Sequence, residues 1–104
     1  MAQELFAFTE QALLALKEAD VYPDMIQIGN EIRNGMLFPV AKVPKWENLA
    51  KLVNSGIAAA RKVNADTKLM IHLDEGATYA YYEEWFDHMM AQGMTDFDVI
   101  GLSY

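Results

Sequence analysis

Two side chains that can move a proton or grip a polar ligand stand together in Asn30-Glu31, directly after the apolar run Met25, Ile26, Ile28 and the break at Gly29. A carboxylate at the carboxyl end of a buried strand is where parallel α/β enzymes keep their chemistry. Arg33, Asn34 and Gly35 follow within four positions, so the loop has the composition to surround something. A second group stands at His72 and Asp74, two apart and therefore on one face of a strand. Each has a plainer reading. Glu31 reads equally as a solvated loop carboxylate, His72 as a hydrogen-bonded core histidine, and Asp74 as a loop cap. His72 with Asp74 also reads as a metal pair, but two ligands without a third make no specific site. There is no glycine-rich phosphate loop, no His-Glu-x-x-His, and no Ser or Cys with a credible base partner. General acid/base chemistry on a carboxylate is what stands out.

The elements that must position these residues follow from periodicity. Leu5, Phe8, Ala12, Leu13 and Leu16 predict one apolar face on a helix over 3–19, ended by Asp20 and Pro23. A strand over 24–29 then leads to Glu31. Pro39 and Pro44 are expected to keep the following loop extended and non-helical. Pro44 also suits the first turn of a helix over about 45–63, whose stripe is Trp46, Ala50, Val53, Ile57 and Ala60. A strand over 68–74 should turn Leu69, Ile71 and Leu73 toward helices and Met70, His72 and Asp74 the other way. A third helix over about 79–92 takes Thr78 as N-cap and Gly93 as stop. Its apolar face is Tyr82, Trp85, Phe86, Met89 and Met90, and Tyr79 and Tyr81 fall on the cleft rim. Trp46 and Trp85 lie on helical stripes and read as core. The third strand, 97–104, places Gly101 and Ser103 on one face and Leu102 and Tyr104 on the other. The order α-β-α-β-α-β with short connections implies α/β architecture with three parallel strands.

Composition narrows the function classes. Eight Lys plus Arg against fifteen Asp plus Glu give a net charge of −7, which argues against nucleic acid or an anionic membrane as partner. A neutral polysaccharide is indifferent to that charge. No cysteine is present, so no disulfide forms. No 18-residue apolar run occurs, and the N-terminus lacks a basic region followed by an apolar core, so neither a membrane span nor a signal peptide is expected.

The stretch PDMIQIGNEIRNGMLFP at 23–39 closely resembles the endo-β-1,4-galactanases of glycoside hydrolase family 53. TKLMIHLDEG at 67–76 and FDVIGLSY at 97–104 agree in order and spacing, and WENLAKLVNSGIAAARKV at 46–63 is also similar. The resemblance covers nearly the whole chain. It implies a retaining glycosidase on a (β/α)8 barrel, acting on β-1,4-galactan or arabinogalactan, without a cofactor and commonly secreted. It implies that Glu31 is the general acid/base and that Asn30 holds the sugar 2-hydroxyl. Arg33, Asn34, His72 and Asp74 become substrate-binding residues lining the cleft. The calcium bound by some members belongs to later loops than these. The residue after Tyr104 is typically a second Tyr.

Length qualifies this expectation. The chain has 104 residues, whereas a (β/α)8 barrel takes roughly 200 or more. The expectation is therefore a single partial-barrel fragment over 1–104, running from the third helix to the sixth strand of the family fold. The resemblance implies a nucleophile that is a glutamate at the end of the seventh strand of the family fold, which no residue here matches, so this chain alone is expected to be inactive. Three parallel strands leave two open edges, which predicts a homo-oligomer formed through them. The alternative is a non-catalytic, self-associating α/β module that binds galactan weakly at most.

Overall fold

The computed structural model describes residues 2–36 and 41–103. Helix α1 (Ala2–Glu18) is followed by strand β1 (Met25–Gln27), a 3-10 turn (Ile32–Asn34), and the short strands β2 (Gly35–Met36) and β3 (Ala41–Lys42). Helix α2 (Trp46–Val63), strand β4 (Lys68–Leu73), helix α3 (Tyr79–Ala91) and strand β5 (Val99–Leu102) complete it. Strands β1, β4 and β5 form one parallel sheet in that order. This is the three-stranded arc that the sequence predicts, with the expected alternation of helix and strand.

Register decides which side chains face which way. Ile26 pairs with Leu69, and Ile71 with Ile100. Leu69, Ile71 and Leu73 are fully buried beneath the helices together with Ile28, while Met70 and His72 lie on the half-open opposite face, as the alternation predicts. The core beneath the sheet draws Leu49, Leu52, Val53, Ile57 and Ala60 from α2, and Trp85, Phe86 and Met89 from α3. Ile100 and Leu102 lie on the same side as this core yet are 50% and 39% exposed. Among the described residues no helix covers them.

Several expectations need correction. In α1 only Leu13 is buried. Leu5 packs against the core, but Phe8 is 72% exposed, and Ala12 and Leu16 face solvent. Among the described elements the helix packs mainly against α2, along a narrow line through Ala2, Leu5, Phe6, Thr9 and Leu13. Met90 on α3 is exposed, unlike its neighbour Met89. Thr78 sits at the N-cap of α3 without a side-chain cap bond. Gly93 does stop that helix, in a left-handed conformation, with Met94 N–H returning to the Met89 carbonyl. Trp46 is only partly buried and stacks on His88, ring centroids 4.5 Å apart. The extended loop after Glu31 proves to be a 3-10 turn and a two-stranded antiparallel ribbon. Gly35 makes the ribbon possible. Its φ is 111°, and a β-carbon there would lie 2.1 Å from the Ala41 carbonyl oxygen. Pro44 precedes α2 through a cis peptide bond from Val43. Pro39 and Tyr104 lie outside the described residues.

At the amino ends of the strands, Arg61 ties α2 to the sheet. Its guanidinium donates to the Thr67 carbonyl at 2.7 Å and pairs with Asp96 and Asp98. Asp98 also accepts the Leu69 N–H at 2.9 Å. That bond, and after it Arg61, hold Asp98 below the usual carboxylate range. A depressed folded-state pKa contributes stability above the ordinary value of 3.8, and that contribution disappears as pH falls through the folded value. Arg61→Ala should lower unfolding stability by about 2 kcal/mol at neutral pH. Asp98→Asn should shrink the stability lost between about pH 6 and pH 3. Urea unfolding at both pH values checks each, and an unchanged pH difference in the Asn variant would count against this role for Asp98.

Candidate active site

The site lies at the carboxyl ends of β1 and β4. The last ladder bond of β1 runs from Ile28 N–H to the Met70 carbonyl at 3.0 Å. The chain then leaves the sheet, and Gln27 Nε2 donates to Asn30 Oδ1 at 3.0 Å, fixing the amide that follows the strand. Glu31 takes a left-handed backbone, φ 51° and ψ 49°, which is uncommon for a residue with a β-carbon. Its N–H donates to His72 Nδ1 at 3.2 Å. The Ser103 hydroxyl donates to Glu31 Oε1 at 3.5 Å, a long bond. Behind the loop, Ile32 is buried and its carbonyl accepts the indole N–H of Trp85 at 3.2 Å.

The six residues singled out in the sequence therefore divide into two groups. Glu31 meets His72 through its N–H and Ser103 through its carboxylate, and Asn30, next in the chain, is held by Gln27. Arg33 turns to Asp74 instead, Nε to Oδ1 at 3.3 Å, and its guanidinium lies 4.9 Å from the centre of the Tyr81 ring. Arg33 and Asn34 line a small groove of about 90 Å³ with Val43, Tyr81 and Trp85. The Asn34 carbonyl accepts the Val43 N–H, which anchors the ribbon. Asp74 lies one residue past the end of β4. His72 Nδ1 and Asp74 Oδ1 each have a protein partner.

Space on the open face is set by residue 101. Gly101 pairs with His72 across the sheet. A β-carbon at position 101 would lie 2.6 Å from Met70 Sδ and 3.4 Å from His72 Cδ2. The sequence marks Ser103 only by its shared face with Gly101, and nothing in spacing links it to Glu31, 72 positions away. Trp85 was legible as core, but its bond to the Glu31 loop was not.

Such an arrangement suits proton transfer. An exposed carboxylate sits on a loop that is held from two sides, with an amide on its amino side and a hydroxyl beside it. It offers one acid/base group and polar contacts for a hydroxyl-rich ligand.

The profile of glycosyl hydrolase family 53 matches residues 1–104. An uncharacterized protein in the bgaB 5′ region of Niallia circulans is 43% identical over 105 residues, covering 93% of this chain and 28% of its own length. An arabinogalactan endo-β-1,4-galactanase from Humicola insolens is 32% identical over 109 residues, covering 100% of this chain and 33% of its own. In three dimensions the chain superposes on the Ignisphaera aggregans GH53 catalytic domain with a TM-score of 0.93 at 35% identity, over 99% of this chain and 28% of that one. The chain thus spans about a third of the length of the relatives it matches. The fold is that of a partial (β/α)8 barrel with three parallel strands.

Proposed function

Since this chain belongs to glycosyl hydrolase family 53, we propose that it carries the acid/base part of a retaining glycosidase that cleaves internal β-1,4-galactosidic bonds in galactan or arabinogalactan. The observation that carries this reading is the placing of Glu31. It follows β1 at the carboxyl end of the sheet, its amide is held by His72, and its carboxylate is exposed beside Ser103.

The chemistry runs in two displacements. Glu31, protonated, gives its proton to the glycosidic oxygen as the bond to the anomeric carbon breaks. A second carboxylate attacks that carbon from the opposite face. Glu31, now ionised, takes a proton from water, which attacks the same carbon, displaces the second carboxylate and restores the original configuration. Asn30, held by Gln27, is placed to contact the sugar 2-hydroxyl. In this proposal the nucleophile is a glutamate outside the 104 residues, roughly 5–5.5 Å from Glu31 in the assembled site. Arg33, Asn34 and Asp74 form the flanking wall of the cleft. No cofactor takes part.

The test replaces the matched segment of the Humicola insolens galactanase with residues 1–104 and measures reducing ends released from β-1,4-galactan. Hydrolysis by the chimera, with little or none by the 104-residue chain alone, is the expected result. A folded chimera without activity would sink the proposal.

A second reading has its own observation. The half-exposed Ile100 and Leu102 flank an open strand edge, and Met25 is 45% exposed at the other edge. Such edges pair readily with further strands. On this reading the chain self-associates through them and binds galactan weakly at most. Sedimentation equilibrium should then give a mass above 11.8 kDa, and a monomer at high concentration would dismiss it.

A further inference from the structure

We infer that His72 is a positioning residue, whose Nδ1 accepts the Glu31 N–H and thereby holds the acid/base carboxylate in the backbone state that aims it. The inference rests on the proposed galactan-cleaving role of Glu31, and it replaces the reading of His72 as a sugar contact.

The geometry leads there in three steps. Glu31 has a left-handed backbone, which costs a residue with a β-carbon about 1–2 kcal/mol unless its surroundings offset it. Its N–H falls past the last ladder bond of β1, so neither the sheet nor the following 3-10 turn supplies an acceptor. The imidazole of His72, on the neighbouring strand, supplies one at 3.2 Å. An Nδ1 that accepts requires the neutral ring with its proton on Nε2. The ring is steadied in turn by the sheet. His72 lies opposite Gly101, where a β-carbon would clash with Met70 Sδ at 2.6 Å and come into contact with the imidazole at 3.4 Å. The bare position at 101 leaves the ring the place it needs.

The hydrogen bond connects residues 41 apart in sequence and joins the ends of two adjacent strands. It meets Glu31 from the amino side, while Trp85 holds the Ile32 carbonyl on the other. A carboxylate fixed at both flanks has few alternative directions. Releasing one flank lets the backbone leave the left-handed region, and the carboxylate then moves relative to the glycosidic oxygen. A displacement of about 1 Å at a reacting group lowers rates by about a hundredfold.

Two variants separate this role from the others. His72→Ala removes the acceptor. His72→Asn keeps one, because Asn Oδ1 falls close to the place of Nδ1. In the galactanase chimera that carries residues 1–104, the expected result on β-1,4-galactan is a fall in kcat of about tenfold to a hundredfold for His72→Ala, with KM changed by less than about threefold, and recovery of most of the rate by His72→Asn. A rise in KM at unchanged kcat would make His72 a sugar contact and overturn the inference. So would an Asn variant no better than the Ala variant.

A second readout needs no catalysis. In the 104-residue chain labelled with 15N, the hydrogen bond should give a scalar coupling between the Glu31 amide nitrogen and His72 Nδ1, absent in His72→Ala. Lack of hydrolysis by the folded chimera with His72 in place would reject the proposed function, and the coupling would then decide the placement of His72 by itself. An absent coupling in the folded chain overturns the inference whatever the activity.

Discussion

Replacing Glu31 with Gln should lower kcat on β-1,4-galactan by about a hundredfold to ten-thousandfold in an enzyme that carries this chain. Gln has nearly the same shape as Glu, and its amide oxygen can still accept from Ser103. The backbone N–H still reaches His72, so the loop should stay in place. What Gln cannot do is give up a proton to the leaving oxygen. A sugar alkoxide is a poor leaving group, so the first displacement suffers most on the natural polymer. An aryl β-galactoside whose phenolate departs unaided should lose far less in that step. The second displacement then limits, because no base remains to activate water. Added azide, an anion that needs no base, should restore turnover and give β-galactosyl azide with retained configuration. Product configuration by NMR provides the check. Equal losses on galactan and on the activated aryl substrate would mean that Glu31 is not the acid.

Much of this site was legible in the sequence because strands announce themselves by period two. The alternation at 68–74 puts Leu69, Ile71 and Leu73 in the core and His72 on the open face, and the register agrees residue by residue. The stripe on α2 was equally plain, since that helix is covered along most of its length. Helix α1 misled, because it rests mainly on one neighbour, α2. A helix with one neighbour buries a thin line, and its remaining apolar residues, Phe8 above all, carry no information about the core. The loop after Glu31 misled for another reason. Two-residue strands such as Gly35–Met36 are too short to show a period. The left-handed state of Glu31 has no signature in residue type either. Its causes lie in His72 and Trp85, 41 and 54 positions away, and sequence spacing cannot say which ring nitrogen meets which amide. Arg61 lies off the α2 stripe, so nothing in the helical period singles it out. Its partners Asp96 and Asp98 approach it only when β5 joins the sheet.

Trp85 should show the largest effect of any substitution on stability, and its two variants should separate packing from positioning. The side chain is 1% exposed and meets Phe86 edge to face, ring centroids 5.0 Å apart. Truncation to Ala removes that ring from the core and should cost about 3–5 kcal/mol. For a domain near 100 residues each kcal/mol lowers Tm by about 4–8 °C, so the Ala variant is expected to be largely unfolded near 40 °C if the parent melts at about 60 °C. Trp85→Phe keeps most of the apolar contact and loses the indole N–H. The Ile32 carbonyl then keeps only the Gly35 N–H as donor, and the lost bond should cost about 0.5–1.5 kcal/mol. The Phe variant should still fold at 25 °C. Because Ile32 directly follows Glu31, the lost bond also loosens the carboxylate from its carboxyl side. The Phe variant should therefore lose rate on galactan at nearly constant KM, as His72→Ala does from the amino side. If the two anchors act on one backbone state, the double variant should lose little more rate than the worse of the two singles, since a loop already released has nothing further to lose. Multiplying losses would instead mean that His72 and Trp85 act on separate features of the site.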